Sequence, residues 1–394
     1  MQQAYFEFQT PPRLLAGALA LEHIPHELRL LGAHRPLLIS DAGLVRTGLL
    51  ALCERALREG ETPAQAVWTD VPPDSSISLI SRIAGAYRES GCDSVVAVGG
   101  GSVLDTAKGV CMVIAHGARD LSELMGCEAM PRGAHVPFIA VPTTAGTGSE
   151  ATAVAVVRDD ARALKMEFIS GSLLPDAAVL DPRMTRTLPP RITAATGMDA
   201  LCHAVEAYSC LQHNPISDAY ARGAIEMIAR SLIPAAQGRG GDETRMEMAC
   251  AATMAGAAFS NAMVGLVHAV GHALGGVCRV PHGEAMAILL PHCMRFNLKV
   301  CAARYGDMLL PMAGPEVYAR TPEPERAAAV IDRIEAMLTE LNAVCGLPTR
   351  LRDTRAEESA FEQIAQAAVN DGAMIVNPRE ATREDVTALL RAAW

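Results

Sequence analysis

Short apolar runs alternate with longer helical patterns through the first half of the chain. The segments with strand character cover residues 4–9, 35–40, 64–69, 94–98, 136–141 and 177–180. Helical periodicity appears between several of them, over residues 44–59, 75–90 and 102–116. Strands that are apolar throughout and separated by helices are typical of a parallel sheet covered on both faces. The pattern therefore predicts an α/β domain.

From Pro189 and Pro190 onward the pattern changes, because Ala-rich segments of helical period follow one another without a convincing strand. These segments cover residues 193–211, 217–236, 243–259, 264–275 and 327–345. We therefore expect an α/β domain over residues 1–190 and an all-α domain over residues 191–394. The length of 394 residues agrees with two cores of ordinary size.

Composition narrows the functional classes. A net charge of −10 without a basic run disfavours nucleic acid and anionic membranes as partners. Eleven cysteines without a C-x-x-C pair are typical of reduced thiols in a cytoplasmic protein. The first residues have no signal-peptide pattern, and no run of 18 apolar residues occurs, so we expect a cytoplasmic protein without a membrane span.

A glycine triplet joins a predicted strand to a predicted helix in SVVAVGGGSVLDTAK, residues 94–108. Gly99, Gly100 and Gly101 let the backbone approach a ligand closely, and the helix that begins near Ser102 directs its positive end to the same place. This arrangement suits a pyrophosphate. The alternative is a tight strand-to-helix turn without a ligand, in which glycines are equally common.

A second loop, PTTAGTGSE at residues 142–150, follows the next strand. Its hydroxyls suit phosphate and ribose oxygens; they belong to Thr143, Thr144, Thr147 and Ser149. Loops at the carboxyl ends of neighbouring parallel strands face one crevice, where such sheets bind ligands. Asp41 ends an earlier strand and could accept the 2′-hydroxyl of an adenosine ribose, which favours NAD over NADP. A helix N-cap is an equally good role for Asp41.

Ligand-type residues recur at helical spacing in the second half. Asp199 and His203 are four residues apart, as are His268 and His272, and His282 follows a Gly- and Pro-marked break. One carboxylate and three imidazoles converging in apolar surroundings would hold a divalent metal such as iron or zinc. The alternative is a set of core histidines with satisfied hydrogen bonds. The absence of H-E-x-x-H disfavours peptide hydrolysis.

Together these segments resemble the iron-dependent (group III) alcohol dehydrogenase family. The resemblance lies in GGGSVLDTAK, PTTAGTGSE, LDP at residues 180–182, GMDALCHAVEAY, GLVHAVGHALGG, VPHGEAMAILLPH and NPRxAT at residues 377–382. The blocks span most of the chain in the order of the family. They imply a Rossmann-like N-terminal domain, an all-α C-terminal domain of the dehydroquinate synthase-like type, and an active-site cleft between them.

The resemblance also implies roles for individual residues. It implies that the metal is bound by Asp199, His203, His268 and His282. It also implies that His272 lines the nicotinamide end of the cleft without binding the metal. We expect His272 to pass a proton to solvent. Contacts to the cofactor are implied for Asp41, Gly99, Gly100, Gly101, Ser102, Thr143, Thr144, Thr147, Ser149 and Lys165.

The implied reaction is reversible hydride transfer between a small primary alcohol and NAD, with the alkoxide oxygen on a divalent metal that lowers its pKa. NADP is disfavoured by Asp41. The family name points to Fe²⁺, although the same ligands suit Zn²⁺. Members of the family often form dimers or larger assemblies, so a homodimer or larger homo-oligomer is expected.

The chain departs from the family at the wall of the expected pocket. Ala373 and Met374 stand where a Cys-Thr pair is common, and Val154 stands where members that take hydroxylated aldehydes carry a polar residue. Phe259 and Met263 are further wall candidates, although core packing explains them as well. A less polar wall predicts a preference for simple aliphatic or aromatic alcohols over diols.

Two alternatives differ in function. The first is a metal- and NAD-dependent lyase resembling dehydroquinate synthase, which needs a cluster of bases for its phosphate-bearing substrate. Arg279 is the only base near the predicted ligands in sequence, which disfavours this reading. The second is a non-catalytic, metal-stabilised nucleotide-binding protein. A metal-stabilised binding role by itself leaves the two predicted cofactor loops unexplained.

Overall fold

The computed structural model describes residues 5–124, 133–159 and 164–394, without the side chains of Leu164 and Lys165. The described chain divides into two compact units. The first is Gln9–Thr187, and the second comprises residues 5–8 and Leu188–Trp394. The first unit contains a parallel sheet with helices and the second is helical, so the predicted fold class is confirmed.

Parallel strands form the centre of the first unit. The strands are β1 (Arg13–Ala16), β2 (Pro36–Ile39), β3 (Ala66–Trp68), β4 (Ser94–Gly99), β5 (Phe138–Pro142), β6 (Val154–Asp159), β7 (Leu164–Ile169) and β8 (Ala177–Leu180). The helices are α1 (Ile24–Leu30), α2 (Ala42–Arg46), α3 (Leu49–Glu59), α4 (Ile77–Glu89) and α5 (Gly101–Ala115). Within the described residues, six strands form one sheet in the order β1-β8-β5-β4-β2-β3, and β6 and β7 form a separate antiparallel hairpin.

Both faces of the sheet are buried. Val95 and Ala97 of β4 face one apolar core with α4 and α5, while Val96 and Val98 face the other with α1 and α3. Because successive side chains of a strand point to opposite faces, a strand covered on both faces has to be apolar throughout. This requirement explains the continuous apolar run of the β4 sequence.

The strands β2, β4 and β5 end at the same edge of the sheet. Ile39 pairs with Ala97, and Gly99 pairs with Pro142. The residues that follow these strands are therefore neighbours in space although they are far apart in sequence. They include Asp41, the glycine triplet and the loop that begins at Thr143.

Three local predictions in this unit are wrong. Residues 5–9 form no strand, and the edge strand begins only after the two prolines, at Arg13. The helix predicted over residues 44–59 is broken between α2 and α3 by Gly48, whose φ of +75° is left-handed. The hairpin β6–β7 has no counterpart in the predicted strands.

The second unit is built from α-helices with short 3₁₀ turns. Its α-helices are α6 (Pro190–Ser209), α7 (Pro215–Ala236), α8 (Gly241–Ser260), α9 (Leu266–Cys278), α10 (His282–Asp307), α11 (Leu309–Ala313), α12 (Pro315–Arg320), α13 (Glu323–Cys345), α14 (Phe361–Ala368) and α15 (Arg383–Ala392). The 3₁₀ turns of the whole chain are Ala20–His23, Leu121–Leu124, Ser149–Ala151, Gly171–Leu173, Pro182–Met184, Leu351–Asp353, Glu358–Ala360 and Gly372–Val376.

Glycines allow the helices α6, α9 and α10 to pack closely. A Cβ on Gly271 of α9 would lie 1.7 Å from the Met286 side chain of α10. A Cβ on Gly283 of α10 would lie 2.6 Å from the Ala195 carbonyl of α6. The contact at Gly283 is with backbone, so the pairing of α6 with α10 requires glycine there, whereas at Gly271 a larger residue would displace the flexible end of Met286. Among the helices of the described residues, none is long and apolar enough to cross a bilayer.

Candidate active site

The glycine triplet packs directly against the second loop in the α/β unit. Gly100 precedes α5, and a Cβ on Gly101 would lie 2.9 Å from Thr147 Cγ2. A Cβ on Gly100 would lie 3.4 Å from Thr144 Cγ2, and the Thr143 backbone donates to the Gly99 carbonyl over 3.0 Å. The triplet therefore does more than leave room for a ligand, because it also lets the two predicted cofactor loops touch.

Asp105 joins the two loops through a side-chain hydrogen bond. Its Oδ1 accepts from the Ser149 hydroxyl over 2.8 Å, and its Oδ2 accepts from the backbone N–H of Val156 over 3.1 Å. The predicted cofactor residue Ser149 is thus buried, with its hydroxyl donating to this carboxylate. The sequence singles out Asp105 as part of the motif but gives no signal for this contact.

Asp41 caps helix α2. Its Oδ1 accepts from the backbone N–H groups of Gly43 and Leu44, over 2.7 and 3.1 Å. Asp41 therefore has the alternative role predicted for it, that of a helix N-cap. Neither of the two capping bonds uses Oδ2. Ser102 lies in the first turn of α5, where its hydroxyl accepts from the backbone N–H of Asp74. Lys165 lies in β7, and its side chain is outside the described residues.

Three helices bring the predicted metal ligands together in the helical unit. Asp199 and His203 lie on α6, His268 lies on α9, and His282 is the first residue of α10. The Nε2 atoms of His282, His268 and His203 lie 3.3, 3.7 and 3.9 Å from Asp199 Oδ1. The ligand atoms of Asp199, His268 and His282 all lie within 4.8 Å of one another.

Aromatic contacts fix the orientation of the imidazoles. The ring of His203 is stacked between Phe259 and His268, with centroid distances of 4.3 and 4.5 Å. The ring of His272 stacks on that of His282 at 5.6 Å. Phe259, which the sequence offers as a pocket wall or core residue, thus packs on a predicted metal ligand. Met263 lies four residues later with a left-handed φ of +71°.

The electrostatics of this cluster favour a positive charge. Burial alone would raise the pKa of the Asp199 carboxyl, but His203, His282 and His268 hold it well below its usual range. Burial alone would lower the pKa of His268, but the carboxylates of Asp199 and Glu206 raise it to about 10. Asp199 Oδ1 and His268 Nε2 are buried and make no hydrogen bond of good geometry among the described residues.

A divalent cation fits these observations. Buried polar atoms without hydrogen-bond partners destabilise the folded state. Asp199 Oδ1 and His268 Nε2 are both of the atom types that bind iron and zinc. One carboxylate and three imidazoles also match the donor set that these metals take in proteins. Asp199, His203, His268 and His282 would hold the ion.

His272 takes a different place from the four predicted ligands. Its Nδ1 lies 3.0 Å from Asp371 Oδ2, and burial would raise the pKa of Asp371, but the bond to His272 lowers it. The other oxygen of Asp371 accepts from the backbone N–H of Ala373 over 2.9 Å. The carboxylate therefore orients the imidazole and is itself held by the chain.

Two residues of this site have no predicted role from the sequence. Glu206 lies behind His268, with its Oε2 at 2.5 Å from Nδ1, and Asp371 lies behind His272. The position of Glu206 has a signal, because it follows Asp199 by seven residues and His203 by three and so shares their helical face. Asp371 follows α14 at a distant point of the sequence and has no such signal.

Comparison with known proteins decides the family. The model of iron-containing alcohol dehydrogenases matches residues 11–182, and the model of the C-terminal part of the Fe-containing alcohol dehydrogenase family matches residues 193–394. The chain belongs to the iron-containing alcohol dehydrogenase family. It is therefore an oxidoreductase that acts on CH–OH groups with NAD(P), as the resemblance in the sequence predicts.

Relatives within the alcohol dehydrogenase family match the whole chain. The chain is 39% identical over 388 residues to the probable alcohol dehydrogenase EutG of Salmonella typhimurium, covering 98% of this chain and 94% of that protein. It is 34% identical to the NAD-dependent methanol dehydrogenase of Bacillus methanolicus, covering 98% and 99%. The solved structure of a 1,3-propanediol oxidoreductase is 35% identical with a TM-score of 0.91, covering 99% and 100%.

Proposed function

We propose that this alcohol dehydrogenase transfers a hydride between a small primary alcohol and NAD at a site where a divalent metal is bound. The observation that carries the proposal is the position of Asp199 Oδ1, which is buried among three imidazole nitrogens at 3.3–3.9 Å. A buried carboxylate surrounded by imidazoles without good hydrogen bonds is explained by a shared cation.

The ion would be held by Asp199, His203, His268 and His282. When bound, a divalent cation supplies Lewis acidity that lowers the pKa of an alcohol hydroxyl, and the nicotinamide accepts the hydride. Fe²⁺ is the ion that the family name suggests. Zn²⁺ is equally compatible with this donor set, since imidazole nitrogen and carboxylate oxygen are both established ligands of this ion.

His272 is the residue that we propose for proton transfer. The bond to Asp371 engages Nδ1, so proton exchange would use the other ring nitrogen, Nε2. A carboxylate behind an imidazole fixes its orientation and stabilises the protonated form. In alcohol oxidation the imidazole would accept the hydroxyl proton and release it to solvent, and in aldehyde reduction it would return the proton.

NAD is the cofactor that we propose for the α/β unit. The glycine triplet lies at the N-terminus of α5, where backbone N–H groups and the helix dipole favour a pyrophosphate. Asp41 follows β2 at the same edge of the sheet, with Oδ2 outside its capping bonds. A carboxylate there accepts a ribose 2′-hydroxyl and repels the 2′-phosphate of NADP.

The preferred substrates that we propose are simple aliphatic or aromatic alcohols. Ala373 is buried and Met374 is half-buried in the 3₁₀ turn that follows Asp371, so this turn places no polar side chain at either position. The relatives named above include a methanol dehydrogenase and a 1,3-propanediol oxidoreductase at nearly equal identity. Overall similarity therefore favours neither class of substrate, and the proposal rests on the local polarity at these two positions.

The test is NADH formation by the full-length protein reloaded with one metal. Apoprotein loaded with Fe²⁺ under anaerobic conditions, or with Zn²⁺, is assayed with ethanol, 1-butanol and benzyl alcohol, with NAD⁺ and NADP⁺ in parallel. We expect turnover in both loaded forms, none in the apoprotein, and a preference for NAD⁺ that the Asp41→Ala variant loses. If no alcohol is oxidised with either metal, the proposal fails and a lyase or a nucleotide-binding role has to be considered.

We also propose a cytoplasmic homodimer or larger homo-oligomer. The cysteines of the described residues are all free, and most are buried, as in proteins of a reducing compartment. Analytical ultracentrifugation of the metal-loaded protein at micromolar concentration measures the assembly state, and a monomer at all concentrations would contradict the proposal.

A further inference from the structure

Two side chains from distant elements cap the helix that carries His268 and His272. Asn377 Oδ1 accepts from the backbone N–H of Leu266 over 3.2 Å, and Glu206 Oε1 accepts from that of Val267 over 2.6 Å. A helix leaves its first backbone N–H groups without partners inside the helix, so both bonds satisfy donors of α9 that would otherwise be orphaned. Asn377 belongs to the NPRxAT motif, which has no place in the proposed reaction.

Gly265 makes this double cap possible. A Cβ at Gly265 would lie 2.9 Å from Asn377 Oδ1 and 3.3 Å from Glu206 Oε1. Any larger residue would therefore push one of the caps away from the helix. Asn377 is itself fixed by paired amide bonds of 3.0 Å with Asn297 of α10.

Glu206 differs from Asn377 because it also contacts a predicted metal ligand. Its second oxygen lies 2.5 Å from His268 Nδ1, while its first oxygen accepts from Val267. Both Glu206 and His268 are buried, and the Nε2 atom of His268 faces Asp199 at 3.7 Å. A carboxylate cannot donate a hydrogen bond, so His268 has to carry a proton on Nδ1.

We propose that Glu206 is a positioning residue that holds His268 with Nδ1 protonated and the Nε2 lone pair directed at the metal. This inference rests on the proposed metal site. Residues behind a ligating histidine fix its tautomer and raise its basicity, and their loss weakens metal binding about 10–100-fold. The same carboxylate fixes the start of α9, so it sets both the place of the ligand and its proton.

The Glu206→Gln variant is the sharpest test of the proposal. Its side chain keeps the size of glutamate and one acceptor oxygen, but its amide donates where a carboxylate accepts. If the oxygen stays with the Val267 N–H, the amide faces His268 Nδ1 and selects the tautomer that is protonated on Nε2. That tautomer offers the ion no lone pair at the position of the ligand.

Asn377→Ala is the matched control, since it removes a cap from the same helix without touching His268. The full-length apoprotein of wild type and of each variant is titrated with Zn²⁺ in competition with a chromophoric chelator. Urea unfolding of the same apoproteins measures the loss of the structural role. We expect Zn²⁺ affinity to fall about 10–100-fold in Glu206→Gln and much less in Asn377→Ala, even where the latter unfolds more easily.

Three results would overturn the proposal. Equal Zn²⁺ affinity in wild type and Glu206→Gln would mean that the carboxylate does not act on the ligand. An equal loss of affinity in both variants would mean that only the helix cap matters. Wild-type apoprotein that binds no Zn²⁺ or Fe²⁺ would instead remove the proposed metal site, and with it this inference.

Glu206→Asp keeps the test decisive if the glutamine variant does not fold. It retains the charge and the acceptors but shortens the side chain by one methylene. We expect its Zn²⁺ affinity to lie between those of wild type and Glu206→Gln. If Glu206→Asp is the only variant recovered, we expect an affinity about tenfold below that of wild type. Wild-type affinity in this variant would contradict the proposal.

Discussion

Ser149 donates its hydroxyl hydrogen bond to Asp105 over 2.8 Å, which links the second predicted cofactor loop to the helix that follows the first. The other oxygen of Asp105 accepts from the Val156 backbone. In Asp105→Ala both donors lose their acceptor, and each buried unsatisfied group costs about 1–3 kcal/mol. We expect a free energy of unfolding lower by about 2–6 kcal/mol and weaker binding of NADH in a fluorescence titration. Asp105→Asn, which keeps one acceptor oxygen, should lose less of both, and unchanged NADH binding in Asp105→Ala would contradict the prediction.

His282 and His203 should respond differently to replacement by alanine. The side chain of His282 is 40% exposed, whereas that of His203 is 7% exposed and packs between two rings. Both variants should lose bound metal, as measured by elemental analysis. In urea unfolding of the apoproteins, only His203→Ala should be destabilised, by about 1–3 kcal/mol, because it leaves a cavity. Full metal content in His282→Ala would remove that residue from the ligand set.

His272→Ala should slow turnover without loss of metal. General acid–base groups contribute about 10²–10⁴-fold to rate, so kcat should fall by at least about 10²-fold if His272 moves the proton. Asp371→Asn keeps a hydrogen-bonding side chain behind the imidazole and should show a smaller fall. Elemental analysis and steady-state kinetics on the same preparations test this, and parallel losses of metal and activity would make His272 a ligand.

Lys108 gives the α/β unit a pH-dependent stability. It is 1% exposed, and its Nζ donates to the carbonyls of Thr152 and Val154 and to the Thr152 hydroxyl. Burial lowers the pKa of Lys108 from 10.5 to about 8. Between these values the unfolded state binds more protons than the folded state, so the contribution of this group to stability rises with pH.

The Lys108→Met variant isolates this contribution. Relative to the variant, the wild-type free energy of unfolding should increase by roughly 3 kcal/mol between pH 8 and pH 10.5, and it should show no such difference in slope below pH 8. Urea unfolding of both proteins across this range measures the difference. Parallel pH profiles would show that Lys108 has an ordinary pKa in the folded protein.

Selectivity between alcohols should follow the polarity of the turn at Ala373 and Met374. We expect kcat/KM to be higher for 1-butanol than for 1,2-propanediol. The double variant Ala373→Cys, Met374→Thr introduces the pair that the family commonly has at these positions. One added hydrogen bond of about 1 kcal/mol would shift the ratio about fivefold towards the diol. A wild-type preference for the diol would refute the prediction.

Much of the α/β unit could be predicted because its strands are buried on both faces. The predicted strand over 177–180 coincides with β8, and the run at 94–98 is extended only by Gly99. The break at Gly48 could not be predicted, since the apolar period continues across it and only the backbone conformation ends α2. Helix α10 was not predicted because Gly283 and Pro291 interrupt its pattern, although its partners in the helical unit stabilise it.

For the candidate metal site, the sequence predicts which side chains share one face of a helix. Residues four apart share a face, so the pairs Asp199–His203 and His268–His272 predict that their side chains can act together. The groups behind these side chains could not be predicted in the same way. The contacts of Glu206 with His268 and of Asp371 with His272 join residues 62 and 99 positions apart, and they depend on how the helices pack.

His282 differs from the other predicted ligands because 40% of its side chain is accessible while Asp199 and His268 are 3% exposed. It is also the first residue of α10, where the helix has the fewest backbone bonds to break. If His282 binds the ion as proposed, rotation of this one imidazole would open the site with the helical core intact. The metal content of a purified sample would then reflect the growth medium and the buffers as much as the preference of the protein.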